Sequence, residues 1–291
     1  MPTLAKLAGL TEVIGAVTRP DKPRGRSGRP MPSPVKEEAE RLGIPVLQPS
    51  DGSQLIDLLE GVAPFAVGIV VAYGSLIKDR ALAIPAHGFL NLHFSLLPRW
   101  RGATPVTAAI LAGDEETGVT LMHLDAGLDT GPIIAARSTV IGRDENGAEL
   151  TARLANVGAE LLAQSLFDWL DGSLAPRPQP LVGVTHAPKL TKNDLVLDLG
   201  NDAAALARQV RALAPRPGAV LDLGESRLRG LAARSLDREL ARGSLIVREG
   251  QVIVGTGAGA LELLVVQPAG KQPMDASAWM RGRRGSPDLT G

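Results

Sequence analysis

The 291-residue sequence contains no cysteine, which removes disulfides, thiolate nucleophiles and Cys-ligated zinc or iron–sulfur sites and fits a reducing compartment. Aromatic residues make up only 3% of it, too few for an array of base-stacking platforms. Neither sign of charge is in excess: 31 Lys and Arg balance 31 Asp and Glu, so any nucleic-acid contact must come from a local patch. No apolar run approaches the roughly 18 residues of a membrane span. The first ten residues lack the charged-then-apolar pattern of a secretion signal, so a cytoplasmic protein is expected. Glycine, 33 residues, and proline, 22, are plentiful, and the length suits about two domains.

The patterning predicts an α/β domain followed by a β-rich one. Glu12 to Val17 reads as a buried strand, Pro34 to Leu42 as a helix, Ile44 to Leu47 as a short strand, and Leu55 to Leu59 as part of a second helix. Ala66 to Ala72 is a near-continuous apolar run, expected as a strand covered on both faces. Further strands are expected at Phe89 to Leu92 and Val119 to His123, and a long helix from about Thr151 to Leu170, ended by Gly172. This alternation implies a doubly wound, Rossmann-like sheet. Pro176, Pro178, Pro180 and Pro188 then mark residues 175–188 as a linker. Beyond it come a helix at Asp202 to Leu213 and short strands at Ala219 to Leu223, Ser244 to Arg248, Gln251 to Val254 and Leu261 to Gln267. Glycine-rich turns between them predict a small, OB-like β-barrel. The expected domains are therefore residues 1–174 and 189–291.

One segment departs from the neutral background. Pro20, Pro23, Pro30, Pro32 and Pro34 predict a long irregular loop, and around it Arg19, Lys22, Arg24, Arg26, Arg29 and Lys36 face only Asp21. Such a run serves equally as a solvated excursion or as a phosphate-binding arm.

The densest chemical pattern is Asn91-Leu92-His93, at the end of a predicted strand. Residues two apart share a face, and the carboxyl ends of strands are where open α/β sheets bind ligands. An amide that can donate to an oxyanion beside an imidazole that can move a proton suits acyl-type transfer through a tetrahedral intermediate. A strand-end histidine is also a common structural residue, and His123 is a rival. Downstream, Asp125 and Asp129 lie among glycines, where aspartates usually bond their own turn. Either could instead reach a catalytic histidine and orient it. His87 and His186 read as surface residues.

The segments NLHFSLLPRWRG and LDAGLDTGP together closely resemble the signature of the folate-dependent formyltransferases. TRPDKPRGRSGRPMPSPVK, VVAYGSLI, RGATPVTAAILAGDEETGVTLM, APKLTKND and LELLVVQPAGKQPM are similar to the members that act on initiator tRNA, over about Pro2 to Arg284. The resemblance implies a monomer that moves the formyl group of 10-formyltetrahydrofolate to the amine of initiator methionyl-tRNA, without a metal. It places the catalytic residues at Asn91, His93 and Asp129 and tetrahydrofolate binding at Ser95, Leu96, Leu97 and Pro98. It also places tRNA contacts at Arg26 and Lys189. A sugar-nucleotide acceptor, or a catalytically silent RNA-binding protein, are the alternatives.

In one respect the chain departs from that pattern. Family members open with an apolar strand and a Gly-Thr-Pro loop, whereas this sequence opens at Met1-Pro2-Thr3-Leu4, inside the expected first helix. The resemblance then implies a truncated or mis-started form with lowered stability and weakened folate binding.

Overall fold

The computed structural model of the chain describes residues 1–23, 30–74, 76–224 and 227–282. It divides into two compact units, the first comprising Met1–Pro105, Glu116–Val140 and Ala152–Ala187, the second Val106–Glu115, Ile141–Thr151 and the chain from Pro188 onward. Residues 175–187, expected as a linker, are thus part of the first unit. None of the helices among the described residues is long and apolar enough to cross a membrane.

The first unit opens with α1 (Pro2–Ala8), β1 (Ala16–Val17), β2 (Lys22–Pro23) and β3 (Pro30–Met31). α2 (Pro34–Arg41) starts where Ser33 accepts a hydrogen bond from Lys36 N at 3.1 Å, with Pro34 in the first turn, where an N–H has no intrahelical acceptor. β4 (Val46–Leu47) runs parallel to β1. α3 (Gly52–Val62) is capped by Asp51, and β5 (Gly68–Val70), α4 (Asp79–Leu82), β6 (Phe89–His93) and β7 (Arg101–Gly102) follow. After α5 (Pro105–Ala112), which apart from Pro105 belongs to the second unit, β8 (Glu116–His123) and β9 (Ile133–Val140) form a hairpin, and α6 (Gly147–Leu170), in the first unit from Ala152 onward, and β10 (His186–Ala187) complete the run.

The main sheet has the order β5-β6-β8-β9, and only its β5–β6 pair is parallel. The unit is α/β and Rossmann-like, as expected, with a main sheet that is mixed rather than wholly parallel. β8 returns antiparallel beside β6, and the hairpin reverses direction again at β9. β1 and β4 form a separate parallel pair. Between that pair and β5 lies an apolar cavity of about 540 Å³, lined by residues including Ala16, Val17, Leu55, Leu59, Gly68 and Val70. This is why β5 is half-buried rather than covered on both faces, and none of the expected site residues among those described lines the cavity.

The proline-rich segment is not wholly irregular. Lys22 and Pro23 pair antiparallel with Met31 and Pro30. So short a ladder tolerates two prolines because it asks for few amide donors. Arg26 lies outside the described residues.

Register decides which side chains share a face of the main sheet. His93 faces Thr120 and Asn91 faces Met122, whereas Leu90 faces His123 and Leu92 faces Leu121. Directly opposed residues point to the same side. One side therefore carries Asn91, His93 and Thr120, and the other carries Leu90, Leu92, Leu121 and His123. α6 covers the second side through fully buried Leu154, Leu162 and Leu166, each worth about 1.5–3 kcal/mol. It comes close where Gly158 lies against Val119 and Leu92.

The second unit holds α7 (Ala203–Leu213), β11 (Ala219–Asp222), β12 (Arg227–Leu236), β13 (Leu245–Arg248), β14 (Gln251–Gly255), β15 (Ala260–Pro268), β16 (Met274–Asp275) and α8 (Ala276–Arg281). Its antiparallel sheet has the order β11-β12-β15-β14-β13, with β16 added to β15. Leu206, Val210 and Leu213 of α7 pack with Leu228, Val252, Leu261 and Val266 into its core. No ladder joins β11 to β13 among the described residues, so the sheet does not close into the expected barrel. β12 instead bends, through register shifts between Gly230 and Ala233.

Candidate active site

Strand β6 is buried along its whole length, and that burial fixes Asn91 and His93 on the face opposite α6. His93 is 6% exposed, and both its ring nitrogens have neighbours. Nε2 lies 2.8 Å from Trp100 O. A carbonyl offers only lone pairs, so Nε2 is the donor in that contact. Nδ1 lies 3.6 Å from Asp129 Oδ2, an ion-pair distance when the ring is doubly protonated. Catalytic contacts of this length commonly tighten when reactants are bound.

The hairpin loop between β8 and β9 delivers Asp129, and the two aspartates in that loop divide their roles. Asp125 is taken up by its own turn, accepting from Gly127 N at 3.0 Å and Thr130 Oγ1 at 2.8 Å. Asp129 takes a left-handed φ of 53° and turns its carboxylate toward His93. Oδ2 also accepts from Gly102 N at 2.8 Å, which fixes it before any ligand arrives.

His123, the rival histidine, lies on the opposite face. Its ring centroid is 5.6 Å from that of Trp169 in α6, and burial pushes its pKa down, partly countered by Asp125. His87 and His186 are exposed, as their settings suggest.

The segment after β6 is held tightly from below. Ser95 is fully buried and its hydroxyl donates to Arg99 O at 2.5 Å. Thr120 Oγ1 donates to Ser95 O at 2.7 Å and accepts from Leu97 N at 3.1 Å. Leu97 is buried, whereas Leu96 and Pro98 are half-buried. Of the four residues expected to bind folate, Ser95 and Leu97 therefore serve the loop itself, and Leu96 and Pro98 retain exposed apolar surface.

Sequence reasoning missed the part played by residues 175–187. Trp100 N donates to Thr185 Oγ1 at 2.8 Å and Arg101 N to Thr185 O at 2.9 Å, while β10 pairs parallel with β7. Ile133 and Arg177 exchange two backbone bonds at 2.7 and 2.8 Å. The available signal was Gln179 and Thr185, polar residues with fixed partners among prolines. Lys189 is exposed at the start of the second unit's final stretch. At the base of the basic loop, Lys36 Nζ bonds Asp21 Oδ2 at 2.7 Å and holds that carboxyl below its usual range. Lys36 is therefore committed to Asp21.

A buried amide, an imidazole and a carboxylate on one face can stabilise and protonate a tetrahedral intermediate at a carbonyl carbon. Residues 4–166 match the family model described as formyl transferase, and residues 189–284 match its C-terminal domain. A methionyl-tRNA formyltransferase from Halorhodospira halophila is 46% identical, over 93% of this chain and 88% of that one.

The chain belongs to the methionyl-tRNA formyltransferase family.

A relative of the same name from Mycobacterium tuberculosis is 43% identical over 97% of this chain and 94% of its own length. Among solved structures, an N-formyltransferase from Helicobacter canadensis, in complex with folinic acid and dTDP-3-aminofucose, superposes with a TM-score of 0.69. It is 15% identical over 91% of this chain and 94% of that one, a likeness of fold. HypX from Aquifex aeolicus with tetrahydrofolic acid gives 0.64 at 20% identity, over 84% of this chain and 43% of that one.

Proposed function

We propose that this chain transfers the formyl group of 10-formyltetrahydrofolate to the α-amine of initiator methionyl-tRNA, giving N-formylmethionyl-tRNA. The observation that carries the reading is identity of 43–46% to methionyl-tRNA formyltransferases over nearly the whole chain, second unit included. Residues 1–174, together with the segment 175–187 that belongs to the same unit, are assigned the transfer chemistry, and 189–291 tRNA binding on an incompletely closed, OB-like sheet. The site's donor set suits a reduced folate: half-buried Leu96 and Pro98 offer apolar contact to a flat ring, and the polar residues sit beside them. When bound, 10-formyltetrahydrofolate supplies the activated formyl group.

Asn91 donates its amide N–H to the formyl oxygen as negative charge builds on it. His93 in its protonated form offsets that charge, and Asp129 orients the imidazole and takes up the proton lost by the attacking amine. Collapse of the tetrahedral intermediate breaks the bond from the formyl carbon to N10, which leaves as tetrahydrofolate carrying that proton. Loss of such a donor costs on the order of 100- to 1000-fold, and loss of acid–base help about 100- to 10,000-fold. Arg26 and Lys189 are assigned to phosphate contacts, and the enzyme works as a cytoplasmic monomer.

The test offers the purified protein labelled 10-formyltetrahydrofolate with either initiator methionyl-tRNA or a dTDP-amino sugar. Label in acid-precipitable tRNA is expected. Label in the sugar alone would overturn the acceptor assignment.

A further inference from the structure

We propose that Gln179 is a positioning residue of the transfer reaction, locking Asp129 and the turn Trp100 to Gly102 onto the two sides of His93. The inference rests on the formyl-transfer reading above. His93 is held between two elements, Trp100 O on Nε2 and Asp129 Oδ2 by Nδ1. Each element contains a non-glycine residue in the left-handed region: Trp100 at φ 60° and Asp129 at φ 53°. Such conformations cost on the order of 1–3 kcal/mol and persist only where surrounding contacts over-determine them.

Gln179 contacts both. Its Nε2 donates to Asp129 O at 2.9 Å and Gly131 O at 2.8 Å, so both amide hydrogens are spent on the aspartate's turn. Its Oε1 accepts from Arg101 Nε at 3.0 Å and Nη2 at 2.6 Å, so both lone pairs are spent on the other turn. The amide is satisfied completely, and only one orientation of it does this, because its donors face carbonyls and its acceptor faces a guanidinium. Pro178 and Pro180 flank it with fixed φ, and Arg177 ties the segment to Ile133 two residues earlier. The Pro-rich stretch therefore acts as a strut across the site. The spacing it sets is the one on which the His93 and Asp129 roles depend, and misplacement of reacting groups by about 1 Å can cost on the order of 100-fold.

Gln179→Glu isolates the relevant half. It keeps an acceptor for Arg101 but presents an oxygen, not an N–H, to the carbonyls of Asp129 and Gly131. The expected result is a kcat about 10- to 100-fold lower, with KM for 10-formyltetrahydrofolate and for methionyl-tRNA within about twofold. In an Asp129→Asn background the same substitution is expected to change kcat by less than about twofold, since residues acting through one group are not additive. A variant with full kcat, an equal fold-loss in both backgrounds, or a raised KM at constant kcat overturns the proposal. If Gln179→Glu lowers the melting temperature markedly, Gln179→Met, which carries no charge, is read by the same criteria. A wild-type protein that transfers no formyl group refutes the functional reading and this inference with it. An active wild type with an insensitive Gln179→Glu refutes this inference alone.

Discussion

Thr120 ties the strand pair beneath the site to the loop above it, and Thr120→Val is the cleanest perturbation of that tie. The residue is 0% exposed, and its single hydroxyl donates to Ser95 O at 2.7 Å and accepts from Leu97 N at 3.1 Å. Valine keeps the volume and loses both bonds, leaving a buried carbonyl and a buried amide without partners. Each stranded group costs about 1–3 kcal/mol. Valine's better fit to a strand returns up to roughly 1 kcal/mol. The balance is a destabilisation of about 1–6 kcal/mol, read as a lower urea midpoint at unchanged slope. Thr120→Ser keeps the hydroxyl and removes one methyl group, for about 1 kcal/mol. If Thr120→Val changes stability by less than about 0.5 kcal/mol, or if serine costs as much as valine, the two bonds do not hold the loop and the reasoning fails.

Gly131→Ala places a Cβ 1.9 Å from His123 O, a backbone atom that cannot step aside, so the Asp129 turn must shift. Transfer activity is expected to fall about 100-fold while the far-ultraviolet circular dichroism is retained. His123, whose folded pKa is lowered by burial from 6.5, takes its proton preferentially in the unfolded chain. Stability is therefore expected to fall as pH drops through about 6.5, and denaturant titrations of His123→Gln at about pH 7.5 and 5.5 should show a shallower loss than wild type. Affinity for tRNA is expected to weaken steeply with salt. With Lys36 held by Asp21, five basic residues remain in that segment, giving a slope of log K against log salt of about −3 to −5. Arg26→Ala should flatten that slope by about 1.

Period and punctuation made much of the first unit legible. The Ser33 and Asp51 caps, the apolar spacing of α6 and the alternation of β8 are local signals, and the observed elements follow them. Asn91 and His93 are two residues apart on one buried strand, so their shared face needed only the alternation of β structure. The choice of Asp129 over Asp125 was not legible, because both sit in one turn and only the left-handed backbone at Asp129 directs one carboxylate to His93. The exclusion of His123 likewise needed the β6–β8 register, a tertiary fact. β12 was missed because Gly230 and its scattered arginines interrupt the alternation, although it is the longest strand of the second unit. The role of residues 175–187 was hidden for the opposite reason: their prolines read as a spacer, and the bonds that make them part of the site all run to residues more than forty positions away.

The central claim is that Asn91 and His93, on one face of the sheet, and Asp129, delivered to them by the hairpin loop, carry out formyl transfer. Single-turnover transfer of labelled formyl from 10-formyltetrahydrofolate to initiator methionyl-tRNA, compared for wild type, Asn91→Ala, His93→Ala and Asp129→Ala, tests it most directly. An active wild type is expected, with losses of about 100-fold or more in each variant and tRNA affinity unchanged. Near-wild-type rates in the His93→Ala and Asp129→Ala proteins would contradict the account.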